Sequence, residues 1–190
     1  MSHWHSALVH GGAALLGAFT WTFLEYVIHR WLGHDRRFRN NPFAKEHIRH
    51  HAVGDYFAPS WKKLGAALLI GALVGPVAVL LAGTAGLSFT LGLLGFYGVY
   101  EVLHRLMHVT AGIGPYARWA RRHHFAHHFV DARLNHGVTS PLWDHVFGTY
   151  HKPAIITVPP KLCMRWLRDD ATGQIRADWA QTFVLGTSGR

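Results

Sequence analysis

The chain has one cysteine, Cys163, in 190 residues, which excludes an internal disulfide framework, a Cys-based zinc finger and an iron–sulfur site. Any metal must be held by other ligands. Charge is scarce as well: 15% of residues are Asp, Glu, Lys or Arg against 49% apolar, a balance that excludes disorder. The scarcity is uneven. No Lys or Arg precedes Arg30 and none lies between Lys63 and Arg105, although the chain carries 19 basic and 10 acidic residues for a net charge of +9. The length predicts a single domain without a second catalytic module.

The two stretches without basic residues are apolar. Residues 7–28 contain one acid, Glu25, and at about 1.5 Å per residue they are long enough to cross a hydrocarbon core of about 30 Å. With no positive region ahead of them, and with Glu25, Trp21, Phe23 and Tyr26 near their end, they read as a retained span rather than a cleaved signal peptide. Residues 64–82 and 87–103 form two more spans around an uncharged GTAG turn at 83–86, a membrane hairpin in which Gly and Pro76 are tolerated. The expectation is an all-α integral membrane bundle of three spans, one domain over residues 1–190. Segments 29–63 and 104–190 hold every Lys and Arg, which predicts that both are cytoplasmic. The basic excess then reads as positive-inside topology with contact to anionic headgroups, not as a nucleic-acid footprint. Within these segments the sequence predicts short helices at 42–52 and about 115–129, the latter with Pro in its first turn. From residue 152 it reads as a short cap and tail, and 161–190 carry no recognisable chemistry.

The abundance that sets this sequence apart is its 17 histidines, spaced rather than consecutive. Ten fall in four groups: His29 and His34; His47, His50 and His51; His104 and His108; His124, His127 and His128. Offsets of three and four residues return a side chain to nearly one helix face, so each H-x-x-H-H triplet, and the His104–His108 pair, projects imidazoles together. Groups of two, three, two and three supply about what two metal ions need for nearly all-nitrogen coordination. Imidazole suits iron, zinc, copper and nickel, so ligand type does not name the metal. His29 and His104 end the first and third spans, which predicts convergence of all four groups just beneath the cytoplasmic face, with the centre looking up into the lipid. Two carboxylates are placed to orient ligands: Glu25 is four residues before His29, and Glu101 shares a helical stripe with His104 and His108. Their alternative is pairing with Arg30 or Arg105. An ionisable residue within a span is a functional-site candidate.

The series H-x4-H, H-x-x-H-H, H-x3-H, H-x-x-H-H, followed by NHGVTSPLWDHVFGTY at 135–150, resembles the fatty acid hydroxylase and sterol desaturase superfamily of integral membrane di-iron oxygenases, over about residues 25–151. The resemblance implies a helical membrane fold with a cytoplasmic helical cap, two non-haem irons (zinc being another occupant of a purified sample), O2 as oxidant and an external electron-donor protein. It implies the ligand set His29, His34, His47, His50, His51, His104, His108, His124, His127 and His128. The box pattern selects His124 over the adjacent His123. His136 stands where family members commonly carry an aromatic residue, as a stacking or substrate-facing ring or a ligand. His145 and His151 read as surface residues, His3, His5 and His10 lie on the far side, and Asp144 with Trp143 organises the turn after the last box.

The leading function is insertion of one oxygen from O2 into a C–H bond of a fatty acyl, sterol-like or related lipid. Desaturation is the near alternative, since removing a second hydrogen needs the same oxidant. Carotenoid hydroxylation is less favoured, because there the third box is usually H-x4-H. A histidine-rich metal transporter would place its ligands near the bilayer midplane in broken helices, not at span ends. The short chain, its Ala, Gly and Arg richness and the absence of retention signals favour a bacterial inner membrane over an endoplasmic reticulum.

Overall fold

A computed structural model describes residues 3–187. Helices dominate: α1 (His3–Val27) runs into a π-helical turn, Ile28–His34, followed by α2 (Pro42–Ala52), α3 (Ser60–Ala82), α4 (Thr84–Val109), α5 (Gly114–Phe129) and the short α6 (Leu142–Val146). Two three-residue strands, β1 (Ile156–Val158) and β2 (Phe183–Leu185), pair in parallel with Ile156 opposite Phe183. The chain divides into two compact units, one of Met1–Leu24 and Ala58–Val102, the other of Glu25–Phe57 and Leu103–Arg190.

The first unit is built from apolar helix. His3–His34, Ser60–Ala82 and Thr84–Val109 are each long and apolar enough to cross a membrane. No residue of α3 is buried, and Leu68, Leu73, Leu80 and Leu81 lie open, as a lipid-facing helix requires. Between α1 and α4 the backbones approach closely. A Cβ on Gly17 would stand 2.0 Å from the Phe89 carbonyl oxygen, and one on Gly92 2.0 Å from that of Ala14, so only glycine permits this small-residue packing. Trp21 is buried against Tyr97, ring centroids 4.7 Å apart. The expected four-residue turn at 83–86 shrinks to Gly83: its N–H bonds the Val79 carbonyl at 2.8 Å, and α4 takes in Thr84 onward. In lipid each unpaired backbone group costs several kcal/mol, which favours the shortest connection.

The second unit carries the histidines. Asn41 caps α2 by accepting the Ala44 N–H at 2.9 Å, with Pro42 at its first position, and Pro115 opens α5. Phe125 and Ala126 of α5 pack on Ile156, Val158, Met164, Leu167, Trp179 and Phe183. Residues read from sequence as cap and tail therefore contain a small parallel ladder and supply much of the core behind α5. Three-residue strands are too short for alternation to declare them.

Candidate metal centre

The ten histidines of the four groups gather into two clusters of five. One holds His29, His34, His47, His51 and His127, the other His50, His104, His108, His124 and His128; in each, one ligand atom per residue lies within 4.8 Å of the rest.

In the first cluster the facing atoms are Nε2. His47 Nε2 stands 3.1 Å from that of His29, 2.7 Å from that of His34 and 3.0 Å from that of His51. His127 Nε2 stands 2.9 Å from that of His34 and 3.2 Å from that of His51. The other ring nitrogens set the tautomer: His29 Nδ1–H donates to the His136 carbonyl at 2.6 Å and His127 Nδ1–H to the Leu134 carbonyl at 2.7 Å. A neutral imidazole has one N–H, so with it placed at Nδ1 the Nε2 of each presents a lone pair inward. Two nitrogens about 2.1 Å from one ion and at right angles stand about 3.0 Å apart, which is the spacing found. The second cluster is built alike. His50 Nδ1–H donates to the Tyr56 carbonyl at 2.7 Å and His108 Nδ1–H to the Gly54 carbonyl at 3.1 Å. His108 Nε2 is 2.8 Å from His124 Nε2, and His128 Nε2 is buried without a hydrogen-bond partner.

Burial first, and then neighbouring imidazoles, hold His47, His124, His127 and His128 well below the usual histidine range. They are neutral, the form that coordinates metal. Converging imidazoles, seven of the ten buried and two in each cluster oriented by a backbone carbonyl, fit a metal ion in each cluster.

Helix geometry explains the sorting. Neighbours such as His50 and His51 point about 100° apart, so one triplet serves both clusters: His47 and His51 face the first, His50 the second. The second triplet reverses the shares, with His127 in the first and His124 and His128 in the second. The His29–His34 spacing of five puts side chains about 140° apart on an α-helix. The π-turn over Ile28–His34 widens the spiral so that residues i and i+5 come round together. Nothing but the spacing itself marks this turn in the sequence.

The acids have other partners than expected. Glu25 does not orient His29; it accepts the Thr139 N–H and Thr139 Oγ1–H, both at 2.8 Å, and the Val138 N–H. Glu101 pairs with Lys63, rather than with Arg30 or Arg105. Asp144 does organise the turn after the last box: fully buried, it accepts the His136 and Gly137 N–H groups at 2.8 Å and the Thr149 hydroxyl at 2.7 Å. Glu25 and Asp144 thus hold the 134–139 loop, whose Leu134 and His136 carbonyls orient the first cluster's rings. Sequence reasoning missed those backbone carbonyls, which no residue type announces.

His123 lies outside both clusters, bonded to Asp144 Oδ2 at 3.1 Å. His136 also lies outside. Its Nε2 is 3.0 Å from the Arg133 carbonyl, and its ring stands edge-on to His29 at 5.4 Å. His3, His5, His145 and His151 are exposed, and His10 bonds Ser88 at 2.8 Å.

Helices apolar enough to span a membrane, with imidazole clusters able to hold metal, define a class of histidine-rich membrane protein, and similarity to known proteins specifies it. The family model for fatty acid hydroxylase matches residues 14–149. The chain is 33% identical over 146 residues to fatty acid 2-hydroxylase of Mus musculus, covering 73% of this chain and 39% of that protein. It is 32% identical over 158 residues to the ceramide very long chain fatty acid hydroxylase SCS7 of Saccharomyces cerevisiae, covering 73% and 38%. It is 32% identical over 140 residues to the dihydroceramide fatty acyl 2-hydroxylase FAH1 of Arabidopsis thaliana, covering 71% and 59%. Among solved structures, full-length scs7p, of which only the hydroxylase domain is visible, superposes with a TM-score of 0.57 at 26% identity, over 76% of this chain and 62% of that one. The chain spans about two fifths of the mouse and yeast proteins it matches. It belongs to the fatty acid hydroxylase family.

Proposed function

We propose that the protein is an O2-dependent lipid hydroxylase acting as one membrane domain over residues 1–190, with an iron ion in each five-histidine cluster and electrons from a separate donor protein. The observation that carries this reading is the convergence of one ligand nitrogen from each of His29, His34, His47, His51 and His127, and from each of His50, His104, His108, His124 and His128, within 4.8 Å of one another. The two clusters would hold redox-active iron, which would supply the O2 and C–H chemistry that side chains lack. The chain's own work is positional. The Leu134, His136, Gly54 and Tyr56 carbonyls fix ring tautomers, and the burial of seven of the ten rings limits the access of water to the clusters.

The names of the relatives favour an acyl chain as substrate, free or ceramide-like, attacked at carbon 2. Positive-inside charge favours a cytoplasmic centre, and composition favours a bacterial inner membrane. The test is mass spectrometry of total lipid from a host expressing the chain or its His127→Ala variant. A lipid one oxygen heavier, present only with the unmodified chain, is expected. A product two hydrogens lighter makes it a desaturase, and full lipid oxidation with full metal content in His127→Ala overturns the mechanism.

A further inference from the structure

A second feature of the histidine-bearing unit points outward. Arg118, Arg122, Lys152, Trp119, Trp179 and Thr182 line a surface groove of about 250 Å³, with no Asp or Glu among them. A smaller cleft beside it shares Trp119, Arg122 and Lys152 and reaches His123 and Tyr150. Arg118 stacks on Trp179 with its guanidinium carbon 5.1 Å from the ring centroid, and Arg122 Nε is buried without a hydrogen-bond partner.

From this groove an unbroken series of contacts leads inward. Trp119 stacks on His123, centroids 5.2 Å apart and planes 26° from parallel. His123 Nε2 meets Asp144 Oδ2 at 3.1 Å, Asp144 Oδ1 accepts the His136 N–H at 2.8 Å, and the His136 carbonyl accepts His29 Nδ1–H at 2.6 Å. His29 is a member of the first cluster. A groove that served only as a resting place for an anion would need no such connection.

We propose that this groove is the docking surface for an acidic one-electron carrier protein, and that the series Trp119, His123, Asp144, His136, His29 is the path by which electrons reach the first cluster. The proposal rests on the hydroxylase reading, in which a C–H bond, O2, two electrons and two protons become a C–OH and one water. The carrier is the reductant: it visits twice per turnover and gives up one electron each time, while both protons come from water. Three cations without an opposing carboxylate attract an acidic partner and set its orientation. Electron tunnelling falls steeply with gap width, and bonded or stacked groups bridge gaps.

The test uses the full chain, iron-loaded, in uncharged phosphatidylcholine discs, with reduced acidic plant-type [2Fe–2S] ferredoxin as probe. Binding is measured by titration and electron uptake by stopped-flow absorbance of the ferredoxin. Expected are a Kd weakened about tenfold or more by Arg118→Glu/Lys152→Glu, a smaller loss for Lys152→Glu alone, and weakening of the unmodified chain as salt rises from about 50 to about 300 mM. His123→Phe, which keeps a ring but loses the Asp144 bond, is expected to leave Kd unchanged and slow electron uptake about tenfold or more. Photoreduced methyl viologen is expected to reduce the unmodified and charge-reversed chains equally. Indifference of ferredoxin binding and uptake to the charge reversals, with viologen reduction intact, overturns the docking surface alone. Charge reversals that weaken only binding to phosphatidylglycerol vesicles overturn it in favour of a lipid headgroup site. Failure of viologen to reduce the unmodified chain overturns the hydroxylase reading, and this proposal with it.

Discussion

The two clusters use the same ligand type and number but are held differently. The first draws on the π-turn, α2 and α5, and its rings lean on carbonyls of a loop, Leu134 and His136, that buried Glu25 and Asp144 hold in place. The second draws on α2, α4 and α5 and leans on Gly54 and Tyr56, with the C-terminal core behind it: Trp166 Nε1–H donates to the His108 carbonyl at 3.1 Å, and the Phe125 ring lies 5.1 Å from that of His108. Sharing α2 and α5 ties the clusters together, while their separate supports allow each to be disturbed alone.

The largest expected effect is loss of a ligand. His127→Ala should empty the first cluster and His128→Ala the second, each abolishing lipid oxidation by more than about a hundredfold, since outer partners alone are worth about 10–100-fold. Lipid mass spectrometry and metal analysis check both. Equal loss of both ions in each variant would show that the clusters do not fill independently.

Next come the supports. Asp144→Asn places an amide where two N–H donors, a hydroxyl and His123 now meet a carboxylate, and should weaken metal retention by about 10–100-fold at the first cluster only. Phe183→Ala, in the core behind α5, should lower stability by about 3–5 kcal/mol and disturb the second cluster first. Thermal melts with metal analysis separate the two.

Acid should act on both clusters alike. The buried rings of His47, His124, His127 and His128 have pKa values below the 6.5 of an unfolded histidine. Below about pH 6.5 the unfolded chain therefore binds more protons, and the metal-free protein loses stability as pH falls, with no contribution from these groups above about pH 7. Metal should leave over the same acid range, because protons compete for the ring nitrogens. Melting temperature and retained metal from pH 8 to pH 5 report it. The smallest effect is expected from Arg133→Ala, whose pairing with Asp131 is at the surface with the Arg side chain 88% exposed: no measurable shift in melting temperature and no change in metal.

Much of this organisation was legible in the sequence because membrane spans and helical offsets repeat over long windows. The basic-free stretches mark all three apolar helices, the 42–52 helix has the limits of α2, and the ten histidines of the four boxes are the ten that cluster. Their division into two fives was not legible, since it depends on a turn of about 100° between His50 and His51 and on the π-turn that reconciles His29 with His34. Glu25 misled because an offset of four suggests a contact along the helix, whereas the carboxylate meets the backbone at Val138 and Thr139, more than a hundred residues on. The strands at 156–158 and 183–185 escaped because each is three residues long and its partner is distant in sequence.

Whether each cluster holds its own ion is read from the metal content per chain of the purified protein beside His127→Ala and His128→Ala, by elemental mass spectrometry. Two ions per chain are expected in the unmodified protein and about one in each variant, matching the two five-histidine clusters. One ion in the unmodified protein, or two retained in both variants, would contradict that occupancy.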